Sequence, residues 1–279
     1  MTVWSVHLVK AVEVLRQAGI PDASRDARMI LAHAAGFSPD RLSLHLPETA
    51  APALVDRFQS LIEQRARRVP VSHILGQRPF WRHVFKVTPA VLDPRPETEI
   101  LVQAALAEPF QSVLDLGLGS GCILFSLLSD APQAEGVGVD LSREALAIAR
   151  INCGQLNLGE RADLRLGSWY DPVSEEFDLI VSNPPYIAQS DMDELAPEVL
   201  DHEPRMALTD EADGLSAYRS IGEGALSHLS PKGRLLVEIG PTQGLAVSEI
   251  FRNHGLVEVA VLKDLDGRDR VVSARARGI

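Results

Sequence analysis

The stretch Asp115-Leu116-Gly117-Leu118-Gly119-Ser120-Gly121 decides the fold of this chain. It closes an apolar run, Ser112 to Leu116, that predicts a strand, and it opens a run from Cys122 to Leu128 that predicts a helix. Glycines at alternate positions let the backbone turn tightly and approach a ligand closely. A strand, a glycine-rich turn and a helix in this order are typical of α/β domains, which bind ligands at the carboxyl ends of parallel strands.

The chain after residue 112 continues to alternate strand and helix. Beyond the first strand and helix, the predicted strands are Gly136 to Val139, Ala162 to Leu166, Asp178 to Val181, Arg234 to Ile239, Val257 to Lys263 and Val271 to Ala274. The predicted helices between them are Ser142 to Asn152, Leu215 to Leu229 and Gly244 to His254. This rhythm predicts a Rossmann-like α/β fold, with a mostly parallel sheet covered by helices on both faces.

The glycine-rich turn and the next strand end together predict a nucleoside site. A dehydrogenase loop would have Gly-x-Gly-x-x-Gly, but here the third glycine comes one residue early, which is closer to the loop that holds S-adenosylmethionine. Asp140 ends the second strand, where a carboxylate can accept both ribose hydroxyls. Trp169 follows the third strand and either covers an adenine or packs in the core. The alternative for the turn itself is a tight turn without a ligand. The candidate cofactor residues are Gly117, Leu118, Gly119, Ser120, Gly121, Asp140 and Trp169.

A second stretch, Asn183-Pro184-Pro185-Tyr186, follows the strand that ends at Val181. Two consecutive prolines fix two φ angles and remove two N–H donors, and each restricts the residue before it to extended geometry. The loop therefore holds an amide side chain, backbone carbonyls and an aromatic ring rigidly, which suits a small planar group with N–H donors. The alternative is a proline-rich turn with no ligand. In a doubly wound sheet this strand lies beside the first, so both loops should face one crevice.

The first 92 residues have a different character. Apolar residues at helical spacing between residues 1 and 70 predict a small helical bundle, and we hypothesise that it recognises a partner. Residues 71–92 are aromatic and β-branched and are broken by prolines, which predicts a β-hairpin linker. Residues 93–279 then form the α/β domain. Arg95, between two prolines, is expected to be extended and exposed.

Composition excludes several classes of protein. The net charge of −11 argues against tight binding to a nucleic-acid backbone. The two cysteines, Cys122 and Cys153, predict no disulfide framework, and the scattered histidines predict no metal site. No apolar run approaches the ~18 residues that a membrane span requires. The N-terminus, Met1 to Ser5, has no secretory pattern, so we expect a cytoplasmic protein.

Several stretches together resemble one family. The glycine-rich loop with Asn183-Pro-Pro-Tyr186 is similar to class I S-adenosylmethionine-dependent methyltransferases that act on planar nitrogen. With these, the chain resembles the protein-(glutamine-N5) methyltransferases of peptide-chain release factors over its whole length. The further matching stretches are Pro70 to Gly76, Phe85 to Pro89, Pro94 to Glu99, Glu203 to Arg205 and Asp213-Gly214.

The resemblance implies methyl transfer from S-adenosyl-L-methionine to the glutamine of a Gly-Gly-Gln motif in class I release factors. It implies Asn183, Pro184 and Tyr186 as catalytic residues, with Pro185 and Arg95 added for substrate binding and Asn183 also beside the cofactor. Two positions depart from the family pattern, which usually has threonine at Leu118 and an apolar residue at Asp93.

Three alternatives remain open at the level of sequence. A glutamine methyltransferase of a ribosomal protein shares the chemistry. An adenine-N6 DNA methyltransferase uses a similar Asn-Pro-Pro-Tyr loop on a flipped base, although the acidic composition and the lack of a basic recognition domain count against it. The third alternative is a catalytically silent cofactor-binding scaffold.

Overall fold

The chain consists of a helical first part and an alternating α/β second part. A computed structural model describes residues 2–278, and Met1 and Ile279, to which the predicted domain ranges extend, lie outside the described residues. The α-helices are α1 (Trp4–Gln17), α2 (Ala23–Ala35), α3 (Leu42–His45), α4 (Pro52–Ala66), α5 (Val71–Leu75), α6 (Glu99–Leu106), α7 (Cys122–Asp130), α8 (Arg143–Gln155), α9 (Pro197–His202), α10 (Ser216–His228) and α11 (Gly244–Asn253). Short 3₁₀ helices span Pro39–Arg41, Pro96–Thr98, Gln189–Glu194 and Arg205–Ala207.

The strands begin at the boundary between the two parts. They are β1 (Gln77–Phe80), β2 (His83–Lys86), β3 (Ser112–Leu116), β4 (Glu135–Asp140), β5 (Ala162–Leu166), β6 (Phe177–Ser182), β7 (Leu229–Glu238), β8 (Val257–Lys263) and β9 (Asp269–Arg275). The described residues divide into two compact units. One contains the chain through Gln77 together with Ala196–His202, and the other contains the remainder.

The first unit is built on the packing of α1, α2 and α4 around one apolar core. Leu8, Leu15, Ile30 and Phe58 lie in that core, because residues three or four apart share a helix face. The chain leaves α2 through Gly36, whose φ of 73° is the left-handed conformation that glycine adopts without steric cost. The predicted helical bundle is therefore present.

The buried guanidinium of Arg65 holds α9 in this unit, although α9 comes more than a hundred residues later in the chain. Arg65 on α4 is only 7% exposed, and its Nε donates to Asp26 Oδ2 at 2.7 Å. Its two terminal nitrogens donate to Glu198 Oε1 on α9, each at 3.2 Å. Since a buried guanidinium left without partners is costly, this cluster fixes where α9 packs. No local sequence pattern indicates that residues 196–202 belong to the first unit.

The predicted hairpin linker is correct only in its middle. β1 and β2 form a two-stranded sheet, but Val71–Leu75, predicted as part of the hairpin, is the helix α5. Pro70 precedes its first turn and Gly76, with φ of 69°, ends it. Ile74 lies in the core of the bundle. Burial of that face outweighs the β-branched composition that favoured a strand.

The second unit is a seven-stranded sheet in the order β5-β4-β3-β6-β7-β9-β8. The pairs from β5 to β7 are parallel, and β9 runs antiparallel to both β7 and β8. Strand order reverses between β3 and β6, which is the position where doubly wound sheets bind ligands. The mostly parallel Rossmann-like sheet is therefore confirmed.

Apolar cores cover both faces of this sheet. Along β6, Leu179 and Val181 face one core with α6 and α7, and Ile180 faces the other with α10 and α11. This alternation follows from the two-residue period of a strand. Among the helices that the structure describes, none combines the length and apolar composition needed to cross a lipid bilayer. Residues 2–278 also hold no cluster of three His, Cys, Asp or Glu suited to a metal ion.

Replacing Asn152 with alanine tests a buried clamp in the second unit. The Asn152 side chain accepts from Lys86 N at 2.7 Å and donates to Lys86 O and Ser120 O at 3.1 and 2.8 Å. Asn152→Ala leaves these backbone groups unpaired, so we expect a loss of about 3 kcal/mol in the free energy of unfolding. Urea denaturation measures the loss, and Asn253→Ala, at an exposed helix position, is the matched control. Equal stability of the two variants would contradict the clamp.

Candidate active site

The two loops singled out in the sequence meet where β3 and β6 end. Leu116 and Ser182 are register partners in the parallel β3–β6 pair, and Ser182 Oγ donates to Leu116 O at 2.6 Å. Gly117 and Asn183 are the next residues of each strand and leave the sheet side by side. They line a cavity of about 500 Å³, a volume typical of small-molecule sites.

The cavity is lined by most of the predicted residues and by several others. The predicted lining residues are Gly117, Leu118, Gly119, Ser120, Asp140, Trp169, Asn183, Pro185 and Arg95. Gly121, Pro184 and Tyr186 lie beside these in the chain but do not line the cavity. Further lining comes from residues 90–94, 204–207 and 209–211, for which the sequence predicted no contact with the cofactor.

The glycine-rich loop uses three of its backbone N–H groups within the protein. Gly117 and Leu118 donate their backbone N–H groups to Val139 O, and Gly119 donates to Asp140 Oδ2 at 2.7 Å. Gly117 and Gly119 have φ of 78° and 55°, and a Cβ on either would meet no neighbouring atom. Their missing side chains therefore leave room in the cavity. Gly121 differs, since a Cβ there would lie 2.1 Å from the Phe125 ring.

Leu118 lines the cavity and also packs into the core. It is 4% exposed and belongs to the core under the sheet. A Cβ on Gly138 would lie 2.7 Å from Leu118 Cδ1, so glycine on β4 makes space for this leucine. The departure from the family pattern at position 118 is thus accommodated by core packing.

Asp140 stands at the end of β4 with both carboxylate oxygens anchored. Oδ2 accepts from Gly119 N and Oδ1 accepts from Ser142 N at 2.8 Å. Burial raises the pKa of this carboxyl, although the hydrogen bonds oppose that change. Each oxygen has a second lone pair, so the carboxylate can also accept hydroxyl groups from a ligand in the cavity.

Two further groups near the loop are buried. Burial raises the pKa of Asp115 well above its usual range, and its Oδ1 has no hydrogen-bond partner among the described residues. Cys122 lines the cavity, and burial raises the pKa of its thiol to about 12. A thiol with that pKa holds almost no thiolate near neutrality, so Cys122 is a poor nucleophile.

Trp169 and Arg95 both line the cavity and both make further contacts within the protein. Trp169 lines the cavity and also packs against the core, and its contact with an adenine stays a prediction. Arg95 is extended, with φ of −97° and ψ of 140°, but it is half-buried and not exposed as expected. Its Nη2 donates to Glu203 Oε1 at 2.6 Å, and pairing with this buried carboxylate draws the guanidinium inward.

The Asn-Pro-Pro-Tyr loop is held by residues that the sequence reasoning missed. Asn183 Nδ2 donates to Thr98 Oγ1 at 3.2 Å, and the Tyr186 hydroxyl donates to Glu238 Oε1 at 3.5 Å. Gln243 Nε2 donates to Tyr186 O at 2.9 Å. Glu238 could have been noticed, because it is a carboxylate within the apolar run Leu235 to Ile239. Thr98 lies within Pro94 to Glu99, a stretch that matches the family, but nothing in that stretch indicates contact with Asn183, and nothing in the local sequence marks Gln243.

Glu238 is a deeply buried acid at this end of the sheet. It is 1% exposed at the carboxyl end of β7, and burial raises the pKa of its carboxyl to about 7. Hydrogen bonding with Thr98 and the charge of Arg270, 3.9 Å away, oppose that rise. Glu238 therefore changes its charge close to neutral pH.

Two family models match the chain in separate ranges. A PrmC N-terminal domain model matches residues 7–76, which form most of the first unit. A methyltransferase small domain model matches residues 91–211, which contain the glycine-rich loop, Asp140 and the Asn-Pro-Pro-Tyr loop.

Curated relatives match nearly the whole chain. A release factor glutamine methyltransferase of Cereibacter sphaeroides is 54% identical, over 95% of this chain and 95% of the relative. One from Caulobacter vibrioides is 45% identical, over 94% of this chain and 92% of the relative. Among solved structures, a methyltransferase from Pyrococcus furiosus has a TM-score of 0.53 at 20% identity, covering 70% of this chain and 89% of that chain, which supports the fold alone.

Replacing Glu238 with glutamine tests the buried carboxyl. Its folded-state pKa is raised, so the folded protein binds the proton more tightly than the unfolded chain, and the stability of the wild type falls as pH rises from 4.5 toward about 7. The gap between Glu238→Gln and wild type should shift in favour of the variant by about 3 kcal/mol over that range. Urea denaturation at several pH values measures the gap.

Glu249, exposed on α11, supplies the control. Glu249→Gln removes an exposed carboxyl by the same chemical change and is measured over the same pH range. A constant difference between Glu238→Gln and wild type would mean that the Glu238 carboxyl has an ordinary pKa.

Proposed function

The chain belongs to the family of release factor glutamine methyltransferases, and from this premise we propose that it methylates a peptide-chain release factor. The methyl group of S-adenosyl-L-methionine is transferred to the side-chain amide nitrogen, N5, of the glutamine in the Gly-Gly-Gln motif of class I release factors. The protein is therefore an S-adenosylmethionine-dependent protein-glutamine methyltransferase.

The observation that carries this function is the position of the Asn183 carboxamide. It lines the same cavity as the glycine-rich loop, and its Nδ2 donates a hydrogen bond to Thr98 Oγ1. A carboxamide is a hydrogen-bonding match for another carboxamide, since each has N–H donors and a carbonyl acceptor. An amide substrate held by Asn183 would lie next to a ligand on the glycine-rich loop.

The residues of the cavity fit S-adenosyl-L-methionine. We assign its ribose hydroxyls to Asp140, which keeps free lone pairs beside two backbone donors. Gly117 and Gly119 leave space for the bound molecule. Trp169 is assigned to the adenine face, and Ser120 and Gly121 complete the loop. When bound, this cofactor supplies an electrophilic methyl carbon on a positively charged sulfur.

The chain's own residues then align the acceptor nitrogen. A glutamine amide is a poor nucleophile because its lone pair is delocalised into the carbonyl. In our proposal, Asn183 Oδ1 and the Pro184 carbonyl accept the two amide hydrogens, while Pro185 and Tyr186 keep the loop rigid. Alignment of this kind is worth up to ~7–11 kcal/mol in favourable systems. No general base is required before transfer, and the proton of the product leaves to water.

Substrate recognition also involves residues outside the loop. Arg95 lines the cavity and is paired with Glu203, so we place it at the rim, where it contacts the release factor. We further propose that the helical bundle recognises the release factor, that the chain does not bind nucleic acid directly, and that it acts in the cytoplasm. The net charge of −11 supports the second of these statements.

The alternative substrates are not favoured, because the relatives that match nearly the whole chain are named for release factors. Incubation with radiolabelled S-adenosyl-L-methionine and purified release factor, ribosomal protein or duplex DNA separates the possibilities. Label should enter the release factor alone. Label in no substrate would support the silent scaffold instead.

Asn183→Ala tests the amide contact. At saturating cofactor, we expect the rate of methyl transfer to the release factor to fall about 100-fold, the size typical of removing one positioned polar group from an active site. Cofactor binding is measured separately by isothermal titration calorimetry, so that lost rate is not confused with lost cofactor. Asn253→Ala is the matched control and should keep the full rate. Near wild-type turnover of Asn183→Ala would remove this residue from the chemistry.

Asp140→Ala tests the assignment of the ribose. Removal of a charged acceptor with two ligand hydrogen bonds should weaken cofactor binding by about 2–4 kcal/mol, or roughly 30- to 1,000-fold in Kd. Calorimetry with S-adenosylhomocysteine measures the change without turnover. The control is Asp56→Ala on the exposed surface of α4. An unchanged Kd in Asp140→Ala would place the ribose elsewhere.

A further inference from the structure

We propose that Thr98 and Glu238 are positioning residues that decide which end of the Asn183 carboxamide faces the substrate. The inference rests on the proposed function and deepens it, because it assigns two residues outside the Asn-Pro-Pro-Tyr loop to the alignment of the glutamine. Glu238 lies outside the stretches by which the sequence resembles the family, and Thr98 lies in one of them, Pro94 to Glu99, without a role assigned to it.

The Asn183 carboxamide requires such a control. A carboxamide turned by 180° about its last bond keeps its shape but exchanges an acceptor for a donor. With Oδ1 toward the substrate, Asn183 accepts a glutamine N–H. With Nδ2 toward the substrate, it opposes one N–H donor with another. The rate of transfer therefore depends on what holds the far end of this group.

Thr98 holds that far end. Its Oγ1 accepts from Asn183 Nδ2 at 3.2 Å, and the residue is 2% exposed, so water does not compete for the hydroxyl. Thr98 ends the 3₁₀ helix Pro96–Thr98 and lines the cavity. A hydroxyl has one hydrogen to donate, so its direction of donation determines which carboxamide atom it can hold.

Glu238 determines the direction of that donation. The Thr98 hydroxyl is close enough to this carboxyl to lower its pKa, and the buried Oε2 of Glu238 has no other hydrogen-bond partner among the described residues. An ionised carboxylate only accepts, so the Thr98 hydrogen points to Glu238 and the lone pairs of Oγ1 point to Asn183. Nδ2 is the only Asn183 atom that can use those lone pairs. Oδ1 is then the end of the carboxamide that is offered to the substrate.

The chain of hydrogen bonds from Glu238 through Thr98 to Asn183 acts as a relay. Protonation of Glu238 reverses the direction of donation along it. A neutral carboxyl can donate to Thr98, and the Thr98 hydrogen can then turn to Asn183 and favour Oδ1 at that position. Burial places the pKa of Glu238 at about 7, so the two states exchange near neutrality. The rate of methyl transfer should consequently fall as the pH drops through this range.

Other groups face Glu238 and bear on its charge. Arg270 on β9 lies 3.9 Å away and is paired with Asp264, and Glu97 is a nearby negative charge. Tyr186, Tyr218 on α10 and Cys122 on α7 also sense Glu238. Burial raises the pKa of each of these last three, so none of them gains a charge near pH 7. A midpoint near neutrality is therefore specific to Glu238 within this set.

The first experiment compares Thr98→Val with Thr98→Ser. Valine keeps the shape of threonine and removes the hydroxyl, whereas serine keeps the hydroxyl. At saturating cofactor, Thr98→Val should lower kcat on the release factor by about 10- to 100-fold, the effect of one mispaired buried polar group. Thr98→Ser should restore most of that rate. Both should keep the wild-type Kd for S-adenosylhomocysteine, which shows that the site is folded. Thr98→Val leaves a buried donor unpaired and should lower Tm, so kcat is compared at a temperature well below the Tm of every variant.

The second experiment follows the Asn183 carboxamide directly. Its side-chain N–H resonances, assigned by their absence in Asn183→Ala, should shift with pH in the wild type with a midpoint near 7. The midpoint should disappear in Glu238→Gln and in Thr98→Val. The pH profile of kcat should lose the same midpoint in Glu238→Gln.

The outcomes separate this inference from the function beneath it. A wild type that transfers no label to the release factor removes the proposed function, and the resonances still decide whether the relay exists. Wild-type kcat in Thr98→Val removes the positioning role while the function stands. Persistence of the midpoint in Glu238→Gln removes Glu238 from the relay.

Discussion

The parallel pairing of β3 with β6 is the constraint on which the site depends. Leu116 and Ser182 are register partners and are joined by a hydrogen bond of 2.6 Å from Ser182 Oγ to Leu116 O. The two loops that follow them are 66 residues apart in the chain yet begin side by side. A shift of one residue would turn every side chain of β6 to the other face of the sheet. The positions of the glycine-rich loop and the Asn-Pro-Pro-Tyr loop therefore depend on the same β3–β6 register.

Buried charge is concentrated behind this edge of the sheet. Asp115 and Glu238 are both 1% exposed or less, and burial raises the pKa of each carboxyl. Such groups cost folding free energy unless they are paired. A buried carboxyl also fixes the orientation of the groups that are hydrogen-bonded to it, because hydrogen bonds in a dry environment are stronger than in water. The cavity combines an apolar lining with a small number of fixed polar atoms, as sites for small molecules generally do.

Local pattern and tertiary packing agreed along most of the α/β part. Strands β3, β5 and β8 have the predicted bounds, and Ser142 caps α8 by accepting from Ala145 N at 3.1 Å. Disagreement occurs where a distant residue decides the outcome. Val71–Leu75 is helical because Ile74 joins the core of the bundle, and α9 packs in the first unit because Glu198 meets Arg65. Composition cannot indicate partners more than a hundred residues away.

The sequence by itself determined the chemistry of the site, because glycine spacing, paired prolines and a strand-end carboxylate act through local backbone geometry that any such stretch carries with it. It also determined the order in which most strands and helices of the α/β part follow one another along the chain, since periodicity is a local property. Only the tertiary structure decided which side chains contact those residues. Thr98, Glu238 and Gln243 come from three separate elements, and no local pattern records that their side chains converge on one loop. The direction of a hydrogen bond depends on every neighbour of both atoms, and those neighbours exist only after the chain has folded.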